Sequence, residues 1–226
     1  MRARSQAVHD AALHDAPAAL ASRLPLRIVR ANALKATAWK NGGGVTREIA
    51  AYPVGASLDT FVWRVSVADV ERAGPFSRFP GIDRTLVLLS GAGMHLTEAH
   101  GTTQLLTAPL SAARFDGGAA IDAQLVDGPT RDFNLMVRRD CAHSALEVWE
   151  GSGTHTLDAD LALVFCARGS LTVRLQRASR AHGHVGALPM QATLGVLDTL
   201  VLDAPSALAC EVTGDGTALA VLLHYA

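Results

Sequence analysis

The sequence is poor in cysteine, in aromatic residues and in excess charge of either sign. Its 226 residues include three cysteines, 5% aromatic residues, and 20 basic against 21 acidic residues, so the formal net charge is −1. Nucleic-acid binding needs a concentrated excess of Lys and Arg, so we expect no nucleic-acid partner. Cys141, Cys166 and Cys210 lack the close spacing of zinc or redox motifs. We expect Cys166 and Cys210 to be buried, reduced thiols of a cytoplasmic protein, because both lie in apolar runs.

The sequence also has no uninterrupted apolar run of the length that crosses a bilayer. Its first two dozen residues are rich in alanine, but His9, Asp10, His14 and Asp15 interrupt them where a signal peptide has a continuous apolar core. We therefore expect residues 1–24 to form a poorly ordered N-terminal extension, and we expect no membrane partner.

Turn signals are abundant, and short apolar or alternating runs separate them. "FVWRVSV", "RTLVLLSG", "DFNLMVRR", "LALVFCA" and "ALAVLLHYA" are examples of such runs. Strands at this spacing predict an all-β sandwich or barrel. Few segments have a helical period, and we expect one brief helical turn in "SVADVERAG", closed by Gly74.

Two segments share one layout, which predicts an internal duplication. "LVLLSGAGMHLT" (86–97) and "ALVFCARGSLTV" (162–173) each place a glycine turn between two apolar strands, and "LTAPLSAARFDGG" and "LGVLDTLVLDAP" follow them as similar β stretches. Chance similarity between hairpins is the alternative. A duplication suits the chain length, with one β-domain half over residues 25–140 and a second over 141–226.

The run "AWKNGGGVTREIA" contains three consecutive glycines whose role is not evident from spacing alone. A phosphate-binding loop is excluded because Lys40 precedes the glycines and because the residues that follow alternate like a strand. A hairpin turn at Asn41-Gly42 fits better, since both residues tolerate positive φ. The following glycines would let the backbone, Gly43 included, approach a ligand or another strand closely.

Two strands carry polar stripes backed by apolar ones. Period two places Thr46 and Glu48 on one face of the first strand, and Arg64 and Ser66 on one face of the second. If these faces point into a barrel, Glu48 and Arg64 line a pocket and form a desolvated ion pair. If they point outward, the four residues are ordinary solvated side chains.

Two later segments add further candidate residues. In "GPFSRFPGIDRTLVLL", Phe76 and Phe79 either close a barrel mouth or pin a loop to the core. We expect the adjacent Asp83 and Arg84 to form a local ion pair of little energetic value. In "DGPTRDFNLMVRR", Asn134 is an amide among apolar neighbours and needs hydrogen-bond partners if it is buried.

The nine histidines allow a metal hypothesis, but their spacing supports it weakly. His95, Glu98 and His100 flank the tip of a predicted hairpin, and His182 and His184 lie among glycines, so loops without a third ligand are the simpler interpretation. No nucleophile motif is present either, because the sequence has no Gly-x-Ser-x-Gly elbow.

Taken together and in order, "WKNGGGVTREIA", "FVWRVSVADVERAGPFSRFPGIDRTLVLLSGAGM" and "GPTRDFNLMVRR" resemble the HutD/Ves family. The resemblance runs from about residue 26 to the C-terminus and is strongest up to Arg139. It implies a double-cupin fold, a link to bacterial histidine utilisation, and modulation of that pathway through the binding of a small intermediate such as urocanate or formylglutamate. Many cupins hold a metal through histidines, but the matching positions here carry none.

The resemblance therefore implies a metal-free polar pocket without a cofactor. It favours the inward orientation of the polar stripes, and Arg64 suits a ligand carboxylate. An enzyme acting on the same metabolites, with Glu48 as acid/base, is the alternative, although a carboxylate beside an arginine is a poor general acid at neutral pH. A homodimer is possible. The ligand-binding residues implied by the match are Asn41, Gly43, Thr46, Glu48, Arg64, Ser66, Phe76 and Asn134.

Overall fold

Strands form nearly all of the regular structure in the computed structural model, which describes residues 26–177 and 190–226. Within these ranges a 3₁₀ turn at Ala31–Ala33 is the sole helical element, so the all-β prediction is confirmed. The strands are β1 (Leu26–Val29), β2 (Ala36–Ala38), β3 (Gly44–Tyr52), β4 (Trp63–Val70), β5 (Gly74–Pro75), β6 (Ile82–Ser90), β7 (Met94–Glu98), β8 (Thr103–Leu106), β9 (Ala112–Asp116), β10 (Ile121–Leu125), β11 (Thr130–Arg138), β12 (Ala142–Glu150), β13 (Gly153–Leu157), β14 (Leu161–Arg168), β15 (Leu171–Arg177), β16 (Met190–Leu194), β17 (Thr199–Asp203), β18 (Leu208–Gly214) and β19 (Thr217–Tyr225).

The first barrel consists of two antiparallel sheets, with strand orders β2-β3-β4-β11-β6-β9 and β5-β10-β7-β8. The sheets are joined where β8 meets β9, because the Gln104 side chain accepts from the backbone N–H of Arg114 and donates to its carbonyl. The opposite edges are formed by β2 and β3 on one sheet and by β5 on the other. Apolar side chains fill much of the space between the sheets, among them Leu86, Leu88, Met94, Leu96, Leu106 and Phe115.

The second barrel has the strand orders β1-β17-β14-β19-β12 and β13-β18-β15-β16. β1 falls within the expected first half, residues 25–140, yet it pairs with β17. Arg30, directly after β1, binds the Asp198 carboxylate at 2.7 Å, and the N–H of Ala31 binds the same carboxylate. These contacts attach the start of the described chain to the second barrel. The expected N-terminal extension, residues 1–24, lies outside the described residues.

The six-stranded and five-stranded sheets pack face to face and join the barrels. Val65 and Val67 of β4 share one buried cluster with Phe165 of β14 and Val221 of β19. The rings of Phe133 and Phe165 meet at 4.9 Å. Because successive residues of a strand face opposite sides, burial of this face turns the other face of β4 and β11 into the first barrel.

The predicted internal duplication is visible in the strand pairing. β6–β7 and β14–β15 are the two hairpins of the sequence echo, and β8–β9 corresponds to β16–β17. The eight strands β4 to β11 pair in the same pattern as β12 to β19. The first three strands stand outside this repeat, and β3 adds an extra strand beside β4 in the first barrel.

The helical turn predicted in "SVADVERAG" is wrong. β4 runs through Val70 and is bonded to β11 on one side and to β3 on the other. These two ladders satisfy the backbone, and six of the eight residues of β4 are buried, which outweighs a local helical preference worth less than about 1 kcal/mol per residue. Across the described ranges, no helix has the length and apolar character that crossing a bilayer requires.

Candidate functional site

The inner face of the six-stranded sheet carries polar side chains in three adjacent rows. In the first row Arg64 lies opposite Met136, which lies opposite Arg84. The second row runs Glu48, Ser66, Asn134 and Leu86, and the third runs Thr46, Ala68, Asp132 and Leu88.

Arg84 is the most unusual residue of this face. It is 7% exposed, although a long cationic side chain is almost never fully buried without a partner. Its guanidinium carbon lies 5.3 Å from the centre of the Phe76 ring, 5.8 Å from that of Phe79 and 5.0 Å from that of Phe115. Three aromatic rings thus surround one cation, an arrangement that attracts the cation through the ring quadrupoles.

The hydrogen bonds of Arg84 are weak. Its two terminal nitrogens reach the carbonyl of Ser77 and Oδ1 of Asn134, both at 3.4 Å, and its Nε has no partner among the described residues. Within the described residues, no carboxylate forms an ion pair with it. Burial, helped by the positive charge of Arg64, lowers its pKa to about 10. The group is therefore still charged at neutral pH and has unused capacity for an anion.

Arg64 lies in the same row as Arg84, with Met136 between them. Unlike Arg84, it has a carboxylate partner. Its Nε donates to Glu48 at 2.8 Å, but the pair is not the desolvated one that the inward orientation predicts. The side chain of Arg64 is 14% exposed and that of Glu48 is 46% exposed. Solvent therefore reaches this part of the inner face. Glu48 pairs with Arg64, and among the described residues no acid pairs with Arg84, so the local charge is positive.

The rest of the middle region is polar but incompletely satisfied. Asn134 is buried and is bonded only loosely to Arg84. Ser66 is fully buried, and its hydroxyl has no partner in the part of the chain that the structure describes. The Thr46 hydroxyl, by contrast, accepts from the indole N–H of Trp39 at 2.8 Å. This bond fixes Trp39 at the β2–β3 edge of the barrel.

The glycine run lies away from this cluster. The carbonyl of Gly43 accepts from the N–H groups of Glu71 and Arg72, and its own N–H donates to Oδ1 of Asn41. These contacts fix the run at the Val70 end of β4, six residues or about 20 Å from Arg64. The structure therefore does not bring Asn41 and Gly43 together with the other predicted site residues. They form the turn that starts β3.

Gly42 and Gly44 explain why glycine is required in this turn. Gly42 has a φ of +65°, a left-handed conformation that favours glycine. A Cβ on Gly44 would lie 2.2 Å from the carbonyl oxygen of Asp69, so β3 can pair this closely with β4 only without a side chain there.

Phe76 lies where the barrel opens. It follows β5 directly, and its N–H donates to the carbonyl of Ile121 on β10. The two sheets are joined along β8 and β9, and Glu48 on β3 and Phe76 after β5 belong to their other edges. Because the Glu48 side chain is half exposed, solvent enters the polar face at the β3 edge. Phe76 and Phe79 contact Arg84 and pack against buried clusters of the first barrel, so their contacts fit the alternative in which they pin this loop to the core.

Sequence reasoning missed Arg84 as a site residue. The predicted pair of Asp83 with Arg84 is wrong, because Asp83 binds the exposed Arg139 at 2.6 Å while Arg84 points the other way. The missed signal is the alternation of β6, where Ile82, Arg84 and Leu86 share one face and every apolar member of it is buried. A cation at one position of an otherwise apolar face of a strand is expected to be buried with its neighbours.

Asp132 lies two residues before Asn134 on β11 and therefore shares its face, but sequence reasoning missed it as a site residue. It is fully buried, its Oδ2 accepts from the Thr130 hydroxyl at 2.9 Å, and its Oδ1 has no partner within residues 26–177 and 190–226. Burial, together with the negative charge of Asp69, raises its pKa to about 7. Near neutral pH a large fraction of this carboxyl is uncharged.

A second charged region, on the opposite face of the same sheet, is electrostatically satisfied. Arg47 and Arg131 both bind Asp69 beside an open depression of about 540 Å³. Burial raises the pKa of Asp69, but hydrogen bonds from Arg131 and Arg47 outweigh it and hold the pKa below its ordinary value. Asp69 thus pairs with both Arg47 and Arg131, while Glu71 and Arg72, which carry opposite charges, also line the depression.

The donor set that many cupins use for a metal does not fit the inner face. Its positions hold Thr46, Glu48, Arg64 and Ser66, and two guanidiniums would repel a cation. Within the described ranges no three His, Cys, Asp or Glu side chains converge on a point where a metal could be held, and this covers His95, Glu98 and His100. His182 and His184 lie outside the described residues.

Comparison with known proteins places the chain in a family. The family model HutD matches residues 31–220. An uncharacterised 21.2 kDa protein of the hutC 3′ region of Pseudomonas putida is 35% identical over 151 residues, which is 66% of this chain and 78% of that protein. Protein Ves of Escherichia fergusonii is 41% identical over 101 residues, 44% of this chain and 51% of that protein.

A solved structure extends the likeness to the fold. HutD of Pseudomonas fluorescens SBW25, in a formate condition, superposes with a TM-score of 0.75 at 31% identity, over 89% of this chain and 99% of that one. The two barrels described above are the double-cupin fold that the resemblance implies, and that prediction is confirmed. The chain belongs to the HutD family.

Proposed function

We propose that the first barrel binds a small molecule carrying a carboxylate, and that Arg84 and Arg64 receive this carboxylate. The buried guanidinium of Arg84, with no acidic partner in the described residues and with an unused Nε, carries the proposal. A guanidinium matches a carboxylate with two parallel hydrogen bonds, and such charge-assisted bonds are about twice as strong as neutral ones.

The surroundings of Arg84 favour an anion that enters rather than an internal partner. The three phenylalanine rings hold the guanidinium without neutralising it, and the nearest charged group that raises or lowers its pKa is another cation, Arg64. Like charges held close together in a partly buried site are costly. A bound carboxylate removes this cost, so binding should stabilise the fold.

Family membership gives the proposal its biological setting. The resemblance to HutD proteins links the chain to histidine utilisation, and the related Pseudomonas fluorescens structure is of a formate condition, formate being the smallest carboxylate. We propose urocanate and formylglutamate, which both carry carboxylates, as ligands, with modulation of histidine catabolism as the outcome of binding. Glu48 then acts as the counter-ion of Arg64 in the unliganded protein rather than as a catalytic acid.

Calorimetric titration with formate, urocanate and formylglutamate tests the proposal. We expect wild-type protein to bind, Arg84→Met to lose at least about tenfold in affinity for every carboxylate, and Arg84→Lys to recover only part of it, since an ammonium lacks the two-pronged geometry. Arg174→Met is the matched control, because Arg174 is an exposed arginine of the second barrel. Equal affinities for wild type and Arg84→Met would refute the assignment.

The regulatory and enzymatic aspects need separate measurements. Cells that lack the gene, complemented with wild type or with Arg84→Met, should differ in expression of the histidine pathway if ligand binding carries the modulation. Turnover of urocanate or formylglutamate that disappears in Glu48→Gln would instead favour the alternative that the protein is an enzyme.

A further inference from the structure

β12 is the longest edge strand in the part of the chain that the structure describes. It has nine residues, pairs with β19 on one side, and has no described strand on the other. The other seven edge strands have two to five residues each. Unpaired N–H and C=O groups on a long edge are a template for another strand, which is why proteins keep free edges short. A free edge of nine residues therefore indicates a surface that binds a further strand.

The internal duplication gives this edge a covered counterpart in the first barrel. β4 corresponds to β12, and it is bonded on both sides, to β11 and to β3. Because β3 stands outside the repeat, no described strand occupies the corresponding position in the second barrel. The edge that β3 covers in one barrel is thus free in the other.

β12 lacks the features with which proteins usually block a free edge. It contains no lysine, proline or glycine, and its register with β19 runs without a bulge from Ala142 to Glu150. Ser144 and Ala145 are exposed, and so is Val148, an apolar side chain with 43% of its surface accessible. Lysines, prolines and bulges are common means of preventing edge-to-edge pairing, so nothing in the strand itself prevents pairing here.

The backbone groups on the free side belong to the even-numbered residues of β12. The ladder to β19 continues at its ends with a bond from the N–H of Ala226 to the carbonyl of Cys141, and with one from the N–H of Gly151 to the carbonyl of Gly216. Hydrogen-bonded and non-hydrogen-bonded residues alternate along an antiparallel strand. The odd-numbered residues of β12 therefore bond to β19, and the even-numbered ones direct their N–H and C=O groups away from it.

A second copy of the chain is a partner that this edge matches. When two β12 strands pair antiparallel about a twofold axis at Ala145, Ser144 lies opposite Leu146 of the second copy, and both have backbone groups on the free side. His143 then lies opposite Glu147 of the second copy, in a non-hydrogen-bonded pair whose Cα atoms are about 4.5 Å apart. The twofold axis makes this contact twice. Complementary groups directly across two strands stabilise their pairing.

The side chains of His143 and Glu147 are already oriented on this face of β12. The His143 ring stacks on the His224 ring with 5.1 Å between their centres. Oε2 of Glu147 accepts from the indole N–H of Trp149 at 2.9 Å, which leaves Oε1 for a further donor. Both residues are exposed. Side chains held in place in this way lose less conformational entropy when a partner binds.

Other registers of the same pairing match less well. An axis at Leu146 places His143 opposite Trp149 of the second copy, and Glu147 opposite Ala145. An axis at Glu147 places two glutamates directly opposite each other, and like charges in such a position are destabilising. The axis at Ala145 is therefore the favoured one.

We infer that two copies of the chain associate through their β12 strands, antiparallel about a twofold axis at Ala145, so that the two five-stranded sheets form one continuous sheet. The inference is independent of ligand binding by the first barrel. It assigns to the second barrel a role in assembly and identifies the pair of His143 with Glu147 as the contact that sets the register.

Light scattering and sedimentation of the full-length chain, at micromolar to millimolar concentrations, test the association. We expect wild-type protein to form a dimer that dissociates on dilution. His143→Glu places a glutamate opposite Glu147, and Glu147→Lys places a lysine opposite His143, so each should raise the dissociation constant by about tenfold, since the axis repeats the loss. The double variant exchanges the charges and should restore most of the affinity.

Oxidative cross-linking tests the register. In a Cys141→Ser background, which removes the accessible native thiol and leaves two buried ones, Ala145→Cys places a thiol opposite its own copy at the axis. The Cβ atoms of a non-hydrogen-bonded pair are close enough for a disulfide, so we expect a covalent dimer. Arg27→Cys, at an exposed position of β1 on the opposite edge of the same sheet, is the control and should remain uncross-linked.

Ser144→Pro separates loss of pairing from loss of the fold. It removes an N–H group on the free side and no bond to β19, so it should give a folded monomer with cooperative urea unfolding. Wild-type protein that stays monomeric at every concentration overturns the inference, whatever else covers the edge. A dimer that Ser144→Pro and His143→Glu leave unchanged overturns it as well, because that dimer uses another surface. A dimer in which Ala145→Cys does not cross-link overturns the axis at Ala145.

Discussion

The two barrels share a strand order but differ in the polarity of their interiors. When the hairpins are aligned on Gly93 and Gly169, the partners of Asn134, Asp132 and Ser66 in the second barrel are Leu222, Ala220 and Ala145. The described interior of the second barrel is an apolar cluster that includes Trp149, Leu157, Val164, Leu200 and Leu208.

This difference shows how one architecture can provide both stability and a site. Burial of apolar side chains in the second barrel contributes about 1.5–3 kcal/mol for each large residue. The first barrel gives up part of this contribution by burying Arg84 and Asp132, each of which has one polar atom without a partner among the described residues. The shared cluster around Phe133 and Phe165 couples the two, so the second barrel can stabilise the less stable first one.

The largest effect on stability is expected from disrupting the pairing of β3 with β4, since β3 has no counterpart among the described strands of the second barrel. In Gly44→Val the new Cβ would lie 2.2 Å from the carbonyl oxygen of Asp69, which is backbone and cannot rotate away. We expect a loss of about 4 kcal/mol or more in the free energy of unfolding, measured by urea denaturation. Gly43→Ala is the control, because its Cβ would meet only the flexible Asn41 side chain at 3.2 Å. Equal stabilities of the two variants would contradict the role of Gly44.

The next effect concerns the buried acid that distinguishes the first interior. Because the pKa of Asp132 in the folded protein, about 7, is above its ordinary value of 3.8, the folded state holds the proton more tightly. Its ionisation therefore destabilises the fold progressively as pH rises from about 4 to 7. Asp132→Asn removes this dependence. The difference in the free energy of unfolding, variant minus wild type, should therefore be about 3 kcal/mol larger at pH 8 than at pH 5.

Urea denaturation at both pH values measures this gain. Asp122→Asn, at a partly exposed position of β10, is the control and should give no comparable gain. Parallel stability curves for wild type and Asp132→Asn across this range would mean that the carboxyl is not strained by burial.

A third change makes the first interior more like the second. Arg84→Met replaces a buried cation that lacks an acidic partner by an apolar side chain of similar length, and replacing such groups by apolar ones is often stabilising. We expect the unliganded variant to gain about 1–2 kcal/mol in stability by urea denaturation, while losing carboxylate binding. A variant less stable than wild type would show that the three rings stabilise the cation more than its burial costs.

Much of the fold could be predicted from the sequence because its signals are local. Glycine turns and alternation predict the hairpins, and the echo between residues 86–97 and 162–173 predicts the duplication. The helical turn at 66–74 was predicted wrongly because the two ladders that flank β4 are formed by residues far away in the chain.

The candidate site was predictable only in part for the same reason. Alternation assigns Glu48, Arg64, Ser66 and Asn134 each to one face of its own strand. It does not say that these strands lie side by side, with those faces inside one barrel. The burial of Arg84 depends on Phe76 and Phe115, which come from different elements. The distance of Asn41 and Gly43 from the cluster follows from strand length, which the sequence pattern leaves uncertain by a few residues.

The smallest effect on stability is expected at the ion pair that occupies the entry to the first interior. Glu48 is about half exposed, so its bond with Arg64 is screened by solvent and should contribute about 0.5 kcal/mol or less. Glu48→Gln frees the Arg64 guanidinium and removes a negative charge that competes with the ligand. Carboxylate affinity should therefore rise by about threefold to tenfold, as measured by calorimetric titration at low salt, and this gain should shrink as salt screens the charges. Glu211→Gln, which removes the exposed partner of Arg174 in the second barrel, is the matched control and should leave affinity unchanged. Weaker carboxylate binding by Glu48→Gln would mean that Glu48 holds Arg64 in the binding position rather than competing for it, and the charge difference between the two interiors would then be smaller than the geometry indicates.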